Sequence, residues 1–114
     1  MGLLFTGMII ATVGLFLTTL GSLMATGQLP MNRAIGICVG SVTKSTEHWE
    51  TGHRAAAPVN VAAGVVTQLL GLVVAFRPTY DMLTASLVGT AWAVVGLGAL
   101  VAWRVAVQAV RPLD

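Results

Sequence analysis

The side chains that could do chemistry are concentrated between Cys38 and Arg54. Glu50 and His53 stand three positions apart, a spacing that on a helix brings two metal-binding groups onto adjacent turns. Glu47 and His48 lie just before them. A metal centre needs three or four such donors with an open geometry, and no second cluster exists in the 114 residues. Polar side chains on a solvated or interfacial helix are the simpler reading, and no metal or other cofactor is expected. Cys38 with His48 or His53 has the makings of a thiol–imidazole pair, yet nothing nearby supplies oxyanion donors or an orienting acid. Gly36-x-x-x-Gly40 lacks the Lys-Ser/Thr of a phosphate loop, and Lys44-Ser45 falls too far along. No catalytic constellation results, and the chain reads as a non-enzyme.

The elements that must position these residues belong to a membrane. Three apolar stretches, at about 2–25, 58–76 and 82–104, hold no ionisable group until Arg104 closes the third. At 1.5 Å per helical residue, about twenty residues cover the roughly 30 Å of bilayer hydrocarbon. Hydrophobic residues make up 56 % of the chain and charged residues 9 %, far from the roughly 25 % charge of soluble domains. The expectation is a single membrane domain over 1–114, all-α, a three-span helical bundle with a polar loop at 27–57. The first stretch is read as a retained span, not a secretion signal, because it has no basic n-region and its apolar core is too long.

Basic residues set the expected orientation. Arg33, Lys44 and Arg54 lie between spans one and two, Arg104 and Arg111 follow span three, and Arg77 alone lies in the turn 77–81. By the positive-inside rule the loop and C-terminus face the cytoplasm and the N-terminus lies outside, in the cytoplasmic membrane of a bacterium. Cys38 would then sit in a reducing compartment, with no second cysteine to pair with. The net charge of +2 comes from isolated residues near span ends, with no basic run interleaved with aromatics. That pattern argues against a nucleic-acid partner.

Small residues recur every three or four positions in runs along each span: Gly7, Ala11, Gly14, Thr18, Gly21 and Ala25 in the first, Gly64, Thr67, Gly71 and Ala75 in the second, and two runs in the third, Ala85, Gly89 and Ala93 and then Gly98, Ala102 and Ala106. In lipid such stripes let backbones approach and supply helix packing. They join the three helices to one another, or leave one stripe for a membrane-protein partner or a second copy. Among the intramembrane polar groups, Ser and Thr can bond to their own helix carbonyls. Gln68, a primary amide near mid-membrane, is expected to find a partner on another helix. No span carries a central ionisable group, which disfavours a coupled transporter. Trp92 is read as packing, and Trp103 with Arg104 as an interface anchor.

In the polar segment, Gly27-Gln28-Leu29-Pro30 punctuates the end of span one, and residues 32–41 are too rich in Gly and β-branched residues for a helix. Ser45 or Thr46 can cap a helix opening with Glu47 and Glu50 in its positive first turn. Pro58 is expected to end it by Ala57. Trp49 and His53 fall one turn apart on one face, and Glu50 can pair with Arg54. A short amphipathic helix lying at the membrane surface follows.

Asn32-Arg33-x-Ile35-Gly36-Ile37, followed by Ser45-x-Glu47-x-Trp49-x-x-x-His53-Arg54-x-Ala56, resembles the signature segment of the SdpI immunity-protein family of small bacterial integral membrane proteins. The resemblance spans roughly Leu29 to Pro58 and the three-span plan. It implies a protein that counters a membrane-active peptide toxin or takes part in envelope signalling, with Asn32, Arg33, Gly36, Trp49, His53 and Arg54 as its partner-binding or structural motif. Two departures stand out: the family usually has Arg where this chain has Cys38, and Pro where it has Gly40. A thiol cannot replace the five-donor guanidinium fork. A structural or accessory subunit of a larger membrane complex is the alternative, and a small transporter the less favoured one.

Overall fold

The computed structural model describes residues 2–114. Three long helices make up most of the chain: α1 (Gly2–Ala25), α2 (Thr46–Ala75) and α3 (Met82–Val110), with a 3-10 turn at Arg111–Leu113. All three are long and apolar enough to cross a membrane, and no strand occurs among the described residues. The chain is a multi-pass membrane protein.

α1 and α2 run antiparallel with their backbones in contact. A Cβ added at Gly7, Gly14, Gly64 or Gly71 would run into the backbone of the facing helix: Gly7 against Ala75, Gly14 against Gln68, Gly64 against Thr18, Gly71 against Ala11. The stripes of the first two spans are therefore spent on each other within one molecule. α3 packs along the other side of α2, where Gly98 meets Ala63, while α1 and α3 barely touch. Gly89 and Gly96 of α3 face open space, and Trp92, expected as packing, is 44 % exposed on the outer surface.

The 30 residues of α2 extend about 45 Å. This is the main departure from the sequence reading, which ended one helix at Ala57 and began a span at Pro58. The helix instead runs through Pro58 without a break. An interior proline costs about 3 kcal/mol, but Ala56 and Ala57, just ahead of it, are fully packed. Tertiary contact on both sides of the proline outweighs the local preference. With a longest dimension of 52 Å, the molecule exceeds the roughly 30 Å of hydrocarbon. The first dozen or so residues of α2, the end of α3 and the loop between α1 and α2 together form a head beyond the apolar slab.

At the opposite end, Arg77 bonds Asp81 at 2.9 Å and Thr84 at 3.1 Å, and Asp81 caps α3 by accepting from the Thr84 N–H. These contacts close the turn 77–81 into a compact unit.

Candidate functional site

The head is built by a loop folded back on the first turns of α2. α1 ends in a Schellman motif, with the Gln28 N–H donating to the Leu23 carbonyl and Gly27, at φ +70°, donating to Met24. Asn32 then holds the chain with its own side chain. Its Oδ1 accepts from the N–H groups of Ala34 and Ile35 at 2.8 and 2.7 Å, and its Nδ2 donates to the Pro30 carbonyl at 2.9 Å. This Asx turn carries Arg33 outward, exposed beside Cys38 and Thr43 on a groove of about 440 Å³.

Past this turn the loop dives onto α2. Trp49 is 1 % and His53 2 % exposed, one turn apart and stacked with ring centroids 4.0 Å apart. The Trp49 indole N–H donates to the Leu29 carbonyl at 2.9 Å. His53 Nδ1 sits 2.7 Å from the Trp49 carbonyl, which can only accept, so Nδ1 carries the proton. Nε2 is then a bare acceptor, and the Ile37 N–H donates to it at 2.9 Å. Burial pushes the imidazole below its ordinary value, and the bond to the Trp49 carbonyl acts in the opposite sense. His53 stands before the apolar run of α2, in the head. The face expected on the membrane surface is thus the inside of the head. Trp49 and Val42 join Met24, Leu29, Ala56, Ala102, Ala106 and Val110 in one core.

Gly36 is the residue that lets the loop approach. Its φ of +107° suits glycine, and a Cβ there would stand 2.7 Å from His53 Nε2 and 3.3 Å from the Trp49 ring. Arg54 is exposed, with its guanidinium against Gly27. No ion pair forms with Glu50, because the helix face that carries Arg54 turns it toward the end of α1. Both ring nitrogens of His53 are taken by backbone groups, so Glu50 and His53 do not offer two free metal donors. Cys38 points its thiol at the carbonyls of Asn32 and Ile35, 3.6 and 3.8 Å away.

Ser45 fills the capping role its sequence position suggested, whereas the contact that ties Lys44 and His48 to Asp114 carried no signal in the sequence. Ser45 accepts from the His48 N–H as the α2 cap, at 3.1 Å, and its hydroxyl lies 2.7 Å from His48 Nδ1. The far nitrogen of His48 and Lys44 Nζ both reach Asp114 at 3.0 Å. The two together hold the Asp114 carboxyl below the usual range, Lys44 contributing most. Asp114 lies 70 positions from Lys44, so no local pattern could have linked them. Within the apolar slab the interhelical bond falls to Asn60, not Gln68. Asn60 Nδ2 donates to the Leu17 carbonyl at 2.7 Å, while Gln68 makes no side-chain hydrogen bond among the described residues. The backbone of Gln68 is pressed against Gly14 of α1. Thr67, fully buried, has no partner for its hydroxyl among the described residues, unlike Thr18 or Ser86 with their own helix carbonyls.

Because α1 and α3 stand apart, a cleft of about 330 Å³ opens between them over α2, walled by Leu17, Leu20, Met24, Ala102 and Trp103, with Asn60 at its base. Residues 36–39 of the loop close its upper end.

The model of the SdpI/YfhL protein family matches residues 28–107, which takes in the loop, all of α2 and nearly all of α3. No curated protein and no solved structure matches the chain. The matched region begins where α1 ends and includes every residue that fastens Leu29 and Ile37 to Trp49 and His53. On that match over most of its length, this chain belongs to the SdpI/YfhL protein family.

Proposed function

We propose that the protein acts without catalysis in the cytoplasmic membrane of a bacterium, as an immunity or envelope-stress protein against a membrane-active peptide, with its head in the cytoplasm. The observation that carries this reading is the division of labour in the signature segment. Asn32, Gly36, Trp49 and His53 hold the loop in one shape, while Arg33 and Arg54 are left exposed and free of ion pairs among the described residues. A fastened loop displaying the Arg33 guanidinium, beside an α2 that displays Arg54, suits recognition better than turnover. Orientation rests on Arg33, Lys44, Arg54, Arg104 and Arg111 lying at the head end, against Arg77 at the other.

The test is deletion of the protein followed by challenge with a panel of membrane-active peptides, with complementation by Arg33→Ala and Trp49→Ala. Sensitivity restored only by the wild type, at equal protein level, supports the reading. Full protection by both variants would reject it.

A second reading is docking to a larger membrane complex. It draws on the bare face of α3, where Gly89 and Gly96 meet nothing within 4 Å. Purification in mild detergent should then retain a stoichiometric membrane-protein partner.

A further inference from the structure

We propose that His53 is an acid-released latch, holding loop residues 36–39 against α2 when neutral and freeing them when protonated. The loop's attachment at this point depends on a nitrogen lone pair. The Ile37 N–H donates to Nε2 across 2.9 Å, and Nδ1 is already committed as a donor to the Trp49 carbonyl. A proton can add only at Nε2, which turns the acceptor into a second N–H facing the first. Two donors cannot share that line, so protonation replaces an attraction with a repulsion at a buried site. Glycine at 36 adds no side chain to this attachment, where a Cβ would press on the imidazole; the side chains of Ile37 and Val39 pack against the head core without a polar contact of their own.

The groups around His53 leave the imidazole in control of the exchange. Glu50 lines the same crevice, from the exposed side of α2. Arg54 lies against Gly27, and Cys38 follows Ile37 in the loop. α1 brings only Leu23 and Met24 to the crevice, and the α3 residues of the shared core are Ala102, Ala106 and Val110. Among the described residues no ion pair fixes the imidazolium in place. Burial, which holds the group neutral at ordinary pH, makes the latch closed by default.

Release has a defined consequence. Gly36, Ile37, Cys38 and Val39 form the end wall of the cleft between α1 and α3. The second loop anchor, Trp49 to Leu29, involves no titrating group and stays in place. The hinge therefore lies between Leu29 and Val39, and the opening exposes the cleft at its head end.

The experiment uses the full chain in detergent micelles as pH is lowered from about 8 to about 4.5. A nitroxide is placed on Cys38, the single and exposed thiol, and amide exchange is read as protection relative to an unstructured chain at each pH. The expected result is about a tenfold loss of protection at the Ile37 amide, together with a sharpening of the nitroxide spectrum. The Val42 and Thr43 amides, which donate to the Val39 carbonyl, and total helix content should hold. In His53→Gln, whose side-chain carbonyl accepts without titrating, both changes should vanish. Steady Ile37 protection in the wild type would overturn the latch whether or not the variant folds. Loss of helix content in step with the loop would overturn it equally, as ordinary acid unfolding.

Discussion

The backbone N–H of Ile37 is held by Nε2 of His53, 16 positions later in the chain and one element away. This bond joins an irregular loop to a regular helix through the nitrogen of the His53 ring that has no proton to give. It explains why Gly36 must precede Ile37: the approach needs a positive φ and no side chain.

Gly36→Ala should therefore lower stability by about 1–3 kcal/mol, the sum of a strained φ and a contact with the His53 ring. Chemical unfolding in micelles measures it, and a change below a few tenths of a kcal/mol would mean the loop relaxes freely.

Trp49→Phe keeps most of the ring volume but leaves the Leu29 carbonyl without its donor. An unsatisfied buried acceptor costs about 1–3 kcal/mol. Trp49→Ala removes the centre of the head core as well, and should cost about 3–5 kcal/mol. Near-equal losses for the two substitutions would show that packing, not the indole N–H, has little weight here.

Gly64→Leu places a side chain where the backbone of Thr18 lies. α1 should separate from the α2–α3 pair, read as a longer distance between spin labels on α1 and α2. The same change at Gly89 of α3 meets open space and should leave both that distance and the unfolding midpoint unchanged.

Asn60→Leu removes the bond to the Leu17 carbonyl and should destabilise by about 0.6–1.7 kcal/mol, the range seen for interhelical hydrogen bonds in lipid. Gln68→Leu should lie within a few tenths of a kcal/mol of wild type. Unfolding of both in mixed micelles decides between them, and the reverse order would return the interhelical role to Gln68.

Two titrations of opposite sense should shape the acid limb of stability. The folded state resists protonating His53, whereas the unfolded chain accepts the proton near the ordinary value of 6.5. Stability from this group is complete above that value, declines as pH falls toward the lowered folded value, and levels off below it. Asp114, held down by Lys44 and then by His48, contributes above the ordinary carboxylate value of 3.8, and its share is lost as pH falls through the lowered folded value. Unfolding midpoints against pH for wild type, His53→Gln and Asp114→Asn separate them. His53→Gln should flatten the upper part of the decline, and Asp114→Asn the lower part.

Local information was enough for much of this molecule. Uncharged runs long enough for a bilayer give the three helices, Gly27 stops α1, and Ser45 caps α2, because each depends on neighbours within a few positions. The signature residues were also legible as a set, from Asn32 to Arg54. Their direction was not. Trp49 and His53 look like one side of a surface helix until Leu29, Gly36 and Ile37 fold over them, a loop closure no periodicity records. Pro58 reads as a boundary and is none, since packing of Ala56 and Ala57 exceeds its local penalty. Asn60 and Gln68 are both amides in an apolar run, and only the register of α2 against α1 decides which one reaches a carbonyl. Short-range sterics and the transfer of apolar surface to lipid determine the helices, whereas the head is decided by contacts far apart in sequence, which form only when the helices have already met.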